Sequence, residues 1–173
     1  MSDTYVNVTR IQGQGMLTLR ADLSDKAVVK AVRTALGQDV PATSTASDDG
    51  MAGAAWMSPD ELLILCADAN RADTMAKLQK ALAKTHHLLV DVSDARAVFT
   101  LDGDGTREVL AKLSPSDVMS LAANDLRRTR LGQVVSAFWL SSDSAATIVC
   151  FRSVGDYMHK MLLKSASPLA KVF

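Results

Sequence analysis

The feature that most constrains how this chain folds is an order of secondary-structure elements that occurs twice. Apolar residues alternate in the segments predicted as strands and recur at helical spacing in those predicted as helices. In the first half these patterns predict, in chain order, a strand at 16–20, a helix capped by Ser24 and ended by Gly37, a hairpin of 54–57 and 61–67, a helix from Asp68 or Asn70, and a strand at 88–92.

The second half has the same order, offset by roughly 80 residues, or about half the chain. It is predicted to contain a strand at 97–101, a turn at 102–105, a helix around Leu110, a short helical insert near Pro115, a hairpin of 134–140 and 146–151, and a final helix with a capping box at Ser153 and Asp156. That helix ends before Pro168. The hairpins place Cys66 and Cys150 in corresponding strands.

This order predicts an α+β fold of two β-α-β-β-α halves, residues 1–92 and 93–173. Each half has one sheet with helices for a single face, and an open sheet covered on one side must pack on something else. We therefore expect the halves to pack together as an internal structural repeat in one compact unit. Residues 40–53 are small and polar, which predicts a mobile loop.

The composition excludes several classes of partner. Lys plus Arg (19) balance Asp plus Glu (19), and aromatic residues are only 5% of the 173, so neither nucleic acid nor a membrane surface is favoured. The sequence has no signal-peptide pattern and no apolar run of bilayer length, which indicates a cytoplasmic protein. Cys66 and Cys150 are expected as free, buried thiols, with a disulfide or redox pair as the alternative.

Residue types that usually mark chemistry are present in unsuitable patterns. His86 and His87 are adjacent, and adjacent strand residues point to opposite faces, so they are poorly placed to bind one metal. The Asp102–Gly105 segment lacks the later acid of a calcium loop, and Gly13–Gly15 opens a strand and not a helix. We therefore predict no catalytic, cofactor-binding or metal-binding residue in this chain.

Six charged or aromatic residues are candidates for an interface or a structural role: Trp56, Asp91, Arg96, Arg130, Trp139 and Arg152. Asp91 and Arg96 could make structural pairs with backbone or with Arg130, contact a partner subunit, or bind a ligand. Arg130 belongs to a basic cluster with Arg127 and Arg128 that is either solvated or faces an acidic partner. The tryptophans fit core positions, and alternatively interface anchors.

Two segments resemble the gamma subunit of heterotetrameric sarcosine oxidase. They are Ala55-Trp56-Met57-Ser58-Pro59-Asp60-Glu61 and Val90-Asp91-Val92-Ser93-Asp94-Ala95-Arg96-Ala97. The resemblance continues collinearly through 110–118, 129–132 and 151–153, and it departs from the family at 94–95 and 115–117.

The resemblance implies a fold similar to the folate-binding domain of the glycine-cleavage T-protein and an accessory, non-catalytic role. The parent complex oxidises sarcosine to glycine, forming hydrogen peroxide and, with tetrahydrofolate, methylenetetrahydrofolate. The resemblance also implies that FAD, FMN and NAD are bound by partner subunits and that this chain binds no cofactor. The implied partners are the alpha, beta and delta subunits, chiefly alpha. Two alternatives stay open: a stand-alone folate-binding one-carbon protein and a self-associating scaffold.

Overall fold

The computed structural model describes residues 5–48 and 52–170, which form ten strands and four α-helices. The strands are β1 (Asn7–Ile11), β2 (Gln14–Ala21), β3 (Ala46–Asp48), β4 (Gly53–Ser58), β5 (Glu61–Ala67), β6 (His87–Asp91), β7 (Arg96–Asp102), β8 (Leu126–Leu131), β9 (Val134–Ser142) and β10 (Ala145–Phe151). The helices are α1 (Lys26–Leu36), α2 (Arg71–Ala81), α3 (Thr106–Leu113) and α4 (Gly155–Ser165). No helix in these ranges is long and apolar enough to cross a bilayer.

The chain divides into two compact units, each built on one antiparallel sheet. The unit Gly13–Asp94 has the strand order β3-β4-β5-β2-β6. The other unit joins the residues before Gly13 to those from Ala95 onward, and its order is β1-β7-β10-β9-β8. The predicted division at 92/93 differs from this one chiefly because β1 pairs with β7, as in the Val8–Leu101 pair, and so belongs to the second unit.

Two helices cover one face of each sheet. In the unit Gly13–Asp94, α1 and α2 pack on β2 and β5; the buried side chains of this core are Leu17, Leu19, Ala21, Val28, Ala31, Val32, Leu62, Ile64, Leu78 and Leu82. In the other unit, α3 and α4 bury Val109, Leu110, Met158 and Leu162 against β7, β9 and β10. Each fully buried Leu or Ile contributes about 1.5–3 kcal/mol to folding stability through the hydrophobic effect. The apolar face of each sheet therefore determines which side the helices cover. The predicted α+β class is confirmed.

Helix α1 shows how local sequence sets element ends. Gly37 adopts a left-handed conformation (φ 72°) and donates its N–H to the carbonyl of Arg33 at 2.8 Å, which ends the helix as predicted. The N-terminal cap is Asp25, whose carboxylate accepts the N–H of Ala27 at 2.7 Å. The prediction of Ser24 was wrong because the Ser24 hydroxyl donates instead to Asp22.

Both hairpins, β4–β5 and β9–β10, lie where the sequence predicts them. The capping box at the last helix was wrong: α4 is preceded by Val154, without a side-chain cap, and Asp156 pairs with Arg10 at 2.6 Å. Strand β3 lies inside the segment predicted as a mobile loop, and residues 49–51 of that segment lie outside the described residues.

Candidate functional site

The turn that follows β6 is organised by the carboxylate of Asp91. This carboxylate accepts the backbone N–H of Ser93 at 3.0 Å and its hydroxyl at 2.6 Å, while the Ser93 hydroxyl oxygen accepts the N–H of Met16 at 2.9 Å. The Nε of Arg71 lies 3.3 Å from Asp91. Desolvation works to raise the pKa of Asp91, but the two Ser93 hydrogen bonds and the Arg71 charge together outweigh it and lower that pKa.

Asp91 is therefore a structural residue that links the end of β6 to β2 and to the start of α2. The predicted pairing with backbone is confirmed by the Ser93 N–H bond. The cation beside Asp91 is Arg71, a residue that sequence reasoning did not single out, in place of the predicted Arg130. The family-like Val90–Ser93 segment thus has a local physical reason in this fold.

Arg96 begins β7 and lies over an aromatic ring. Its guanidinium carbon is 4.3 Å from the ring centre of Phe151, the residue paired with it on β10. Arg130 is exposed on β8 opposite Val135, and Arg152 is exposed directly after β10. Three of the six candidates, Arg96, Arg130 and Trp139, lie in the same sheet.

The two tryptophans have different environments. Trp139 on β9 is 1% exposed, so its role is structural and the interface alternative was wrong for it. Trp56 on β4 is half-buried against the core formed by α1 and α2. Its ring also lines an open cleft of about 460 Å³ with Leu23, Val40 and Pro41.

A network around Tyr5 was missed by sequence reasoning. The Tyr5 hydroxyl donates to the carboxylate of Glu108, which also pairs with Lys112 at 2.9 Å. Hydrogen bonding to Glu108, then burial and the negative charge of that carboxylate, raise the pKa of Tyr5 to about 12. The Nζ of Lys112 further donates to the carbonyl of Ala170 at 2.6 Å. The i,i+4 spacing of Glu108 and Lys112 could have predicted their ion pair. No local sequence pattern predicts that Tyr5 joins them.

Neither thiol is activated for nucleophilic chemistry. Cys66 and Cys150 are free and buried, as predicted. Burial raises the pKa of Cys150 to about 11, against the opposing charges of Arg10 and Arg96. Burial also raises the pKa of Cys66, although a hydrogen bond with Thr74 opposes the shift. Thiols with raised pKa values stay protonated and react slowly at neutral pH.

Metal-ligating side chains do not gather within residues 5–48 and 52–170: no group of three His, Cys, Asp or Glu there could hold an ion. The Nδ1 of His87 lies 2.9 Å from the carbonyl of Thr85, a local contact at the start of β6. His159 on α4 packs against the ring of Phe99, with 5.7 Å between ring centres. His87 and His159 thus have turn and packing roles, respectively.

These observations define a class of protein: an α+β chain of two five-stranded antiparallel sheets whose charged and aromatic side chains brace the fold or lie on an exposed sheet surface. The chain belongs to the sarcosine oxidase, gamma subunit family, whose sequence model matches residues 20–168. It is 28% identical over 141 residues to sarcosine oxidase subunit gamma of Corynebacterium sp. (strain U-96), covering 79% of this chain and 68% of that one.

Two solved structures share the fold. A chain of the heterotetrameric sarcosine oxidase from Corynebacterium sp. U-96, in complex with pyrrole 2-carboxylate, matches with a TM-score of 0.87 and 22% identity over 100% of this chain and 89% of that one. The glycine cleavage system aminomethyltransferase T from Bartonella henselae matches with a TM-score of 0.69 and 11% identity over 92% of this chain and 46% of that one. The predicted likeness to the T-protein is confirmed at the level of fold.

Proposed function

We propose that this chain is the accessory gamma subunit of a heterotetrameric sarcosine oxidase and contributes binding surface, not a reaction centre, to that assembly. The observation that carries the proposal is the family match over residues 20–168, which spans both compact units. The side chains described above support it, because Asp91, Tyr5 and Glu108 hold the fold together and both thiols are held in the unreactive, protonated form.

In this proposal the chemistry belongs to the partner subunits. The assembly demethylates sarcosine oxidatively to glycine, forms hydrogen peroxide, and passes the methyl carbon to tetrahydrofolate as co-substrate. FAD, FMN and NAD are bound by the larger subunits, and this chain docks beside alpha, beta and delta, chiefly on alpha. We also propose a cytoplasmic location, which is supported by the two free, buried cysteines.

Co-expression tests the proposal. This chain, carrying an affinity tag, is produced together with alpha, beta and delta subunits of sarcosine oxidase. We expect the tagged chain to retain them through size exclusion at micromolar concentration, together with sarcosine-dependent peroxide formation. A tagged chain that elutes alone would contradict the proposal.

Two measurements on the isolated chain distinguish the alternatives. Calorimetric binding of tetrahydrofolate at micromolar affinity would favour a stand-alone folate-binding protein. If light scattering shows that the isolated chain forms a monodisperse oligomer, and this oligomer does not bind the other subunits, a self-associating scaffold would be favoured. Under the present proposal the isolated chain does neither.

We also propose that the two units are copies of one structural repeat. The support is their shared strand order: the middle strand, β5 or β10, lies between the first strand of its own hairpin and the strand that precedes the unit's first helix, β2 or β7. Cys66 and Cys150 occupy these two middle strands.

A further inference from the structure

A row of four side chains crosses the sheet of the second unit on the face opposite to its helices. Arg96 pairs with Phe151 between β7 and β10, and Arg130 pairs with Val135 between β8 and β9. The β9–β10 register, with Cys150 opposite Ser136, places Phe151 next to Val135 one residue further on. The order across the sheet is therefore Arg96, Phe151, Val135, Arg130, which we call the basic–apolar row.

The direction of these side chains follows from strand alternation. Ala97, Cys150, Val134 and Leu131, each adjacent in sequence to a member of the row, belong to the core under α3 and α4. Because successive strand residues point to opposite faces, the row points away from those helices. Four strands at about 4.8 Å spacing put Arg96 and Arg130 roughly 14 Å apart.

The centre of the row is more exposed than an inner-strand apolar pair should be. Phe151 is 48% exposed and Val135 is 56% exposed, whereas the next row on the same face, Val98, Val149 and Ala137, is at most 4% exposed. Phe151 and Val135 thus extend a buried apolar face into solvent. Contiguous exposed apolar groups rimmed by polar ones are typical of protein-binding sites.

The flanking charges define what could cover this apolar pair. Arg130 is exposed and forms no ion pair with any residue the structure describes. Arg128 lies on the same face, two residues earlier in β8. Arg96 is held in place by its contact with the Phe151 ring, so part of the ordering cost of binding is already met. Aromatic and arginine side chains are enriched among residues that dominate interface energy, and guanidinium groups select carboxylates.

Protection of a sheet edge explains only part of this pattern. Arginines on β8 would discourage edge-to-edge aggregation, since charged residues blunt exposed edge strands. That reasoning does not apply to Phe151 and Val135, which lie on the inner strands β10 and β9. Nucleic acid would need a broader basic surface than this short row on a chain with equal numbers of acidic and basic residues.

We propose that the basic–apolar row is the docking site for a segment of a larger sarcosine oxidase subunit that presents an apolar side chain flanked by carboxylates about 14 Å apart or less. The apolar side chain covers Phe151 and Val135, and the carboxylates pair with Arg130 and Arg96. This inference rests on the proposed function, since it names the surface through which that function is carried out.

The test measures the dissociation constant between this chain and the purified remainder of the assembly. Phe151→Ala and Arg130→Glu are each expected to weaken binding by about tenfold or more. Tyr157→Ala, an aromatic residue on α4 that is 53% exposed, and Lys160→Glu, an exposed cation on the same helix, are the matched controls and should bind as the unaltered chain does. Circular dichroism and thermal unfolding check that each variant is folded.

Salt and footprinting give independent readouts. Raising ionic strength should weaken binding of the unaltered chain, and Arg130→Ala should reduce that salt dependence. Hydroxyl-radical labelling of Phe151 should fall in the assembled complex while labelling of Tyr157 does not.

The outcomes separate the two proposals. If the unaltered chain binds and both variants bind equally well, the docking surface is wrong and the proposed function stands. If the unaltered chain does not bind the other subunits, both are overturned. A dimer of the isolated chain that Phe151→Ala dissociates would make a second copy the occupant and overturn this inference.

Discussion

At the scale of single residues, Asp91 shows why a charge in the sequence need not mark a reaction site. Its carboxylate is shared between Ser93 and Arg71, so it acts as the connection between a strand end and a helix start. The sequence could suggest that Asp91 pairs with backbone, because acids after strands often bond to the N–H two residues on. It could not identify Arg71, because 20 positions and a helix separate the two.

Asp91→Asn should lower the free energy of unfolding by about 1 kcal/mol at neutral pH, since it removes an ion pair and weakens hydrogen bonds at a half-exposed site. A folded-state pKa below the ordinary value of 3.8 means that this stabilisation is present above that pH and is lost as pH falls through the lowered pKa. Urea unfolding at several pH values measures it. Asp117→Asn, at an exposed position, is the control; an equal loss there would refute the assignment.

Tyr5 gives a second residue-scale prediction. Tyr157→Phe removes the second tyrosine of the chain, so that only Tyr5 is observed. In this variant the tyrosinate absorbance should rise with a midpoint near pH 12, compared with the ordinary value of 10. The further substitution Glu108→Gln should lower that midpoint. Because the folded pKa is raised, the contribution of Tyr5 to stability is complete below pH 10 and is lost as pH rises to about 12. A midpoint of 10 in the folded chain would show that the Glu108 contact does not form.

At the scale of elements, the strongly patterned segments were predictable, whereas three of the four edge strands, β1, β3 and β8, were not; the fourth, β6, was predicted at 88–92. The hairpin β9–β10 has a nearly continuous apolar run because its strands lie inside the sheet and are buried on both faces. Strands β1 and β8, with the sequences NVTRI and LRRTRL, lie at sheet edges and are half exposed. Their polar composition is suited to an edge, and it removes the alternation by which a strand is recognised.

The cap of α1 allows an element-scale test. Asp25→Ala should reduce the free energy of unfolding by about 1 kcal/mol, because it leaves the N–H of Ala27 without its partner at the helix N-terminus. Ser24→Ala should have a smaller effect, since Ser24 bonds to Asp22 outside the helix. Chemical denaturation of both variants decides between them, and the reverse ranking would restore Ser24 as the cap.

At the scale of the whole molecule, element order and family were accessible from sequence, whereas the place of β1 in the second unit was not. Strand β1 completes a sheet whose other strands begin at Arg96 and lie far along the chain. Such a pairing depends on tertiary context and leaves no local pattern. The basic–apolar row was also hidden, because its four members come from four strands and meet only through the register of the sheet.

The central claim is that this polypeptide is a constituent of a larger sarcosine-oxidising assembly. Its most direct test is the native mass of that assembly, purified through a tag on one of the other subunits. The account predicts a mass that includes one copy of this chain, released only when the complex is dissociated. A mass fully explained by the other subunits, with this chain co-expressed and folded in the same cells, would contradict it.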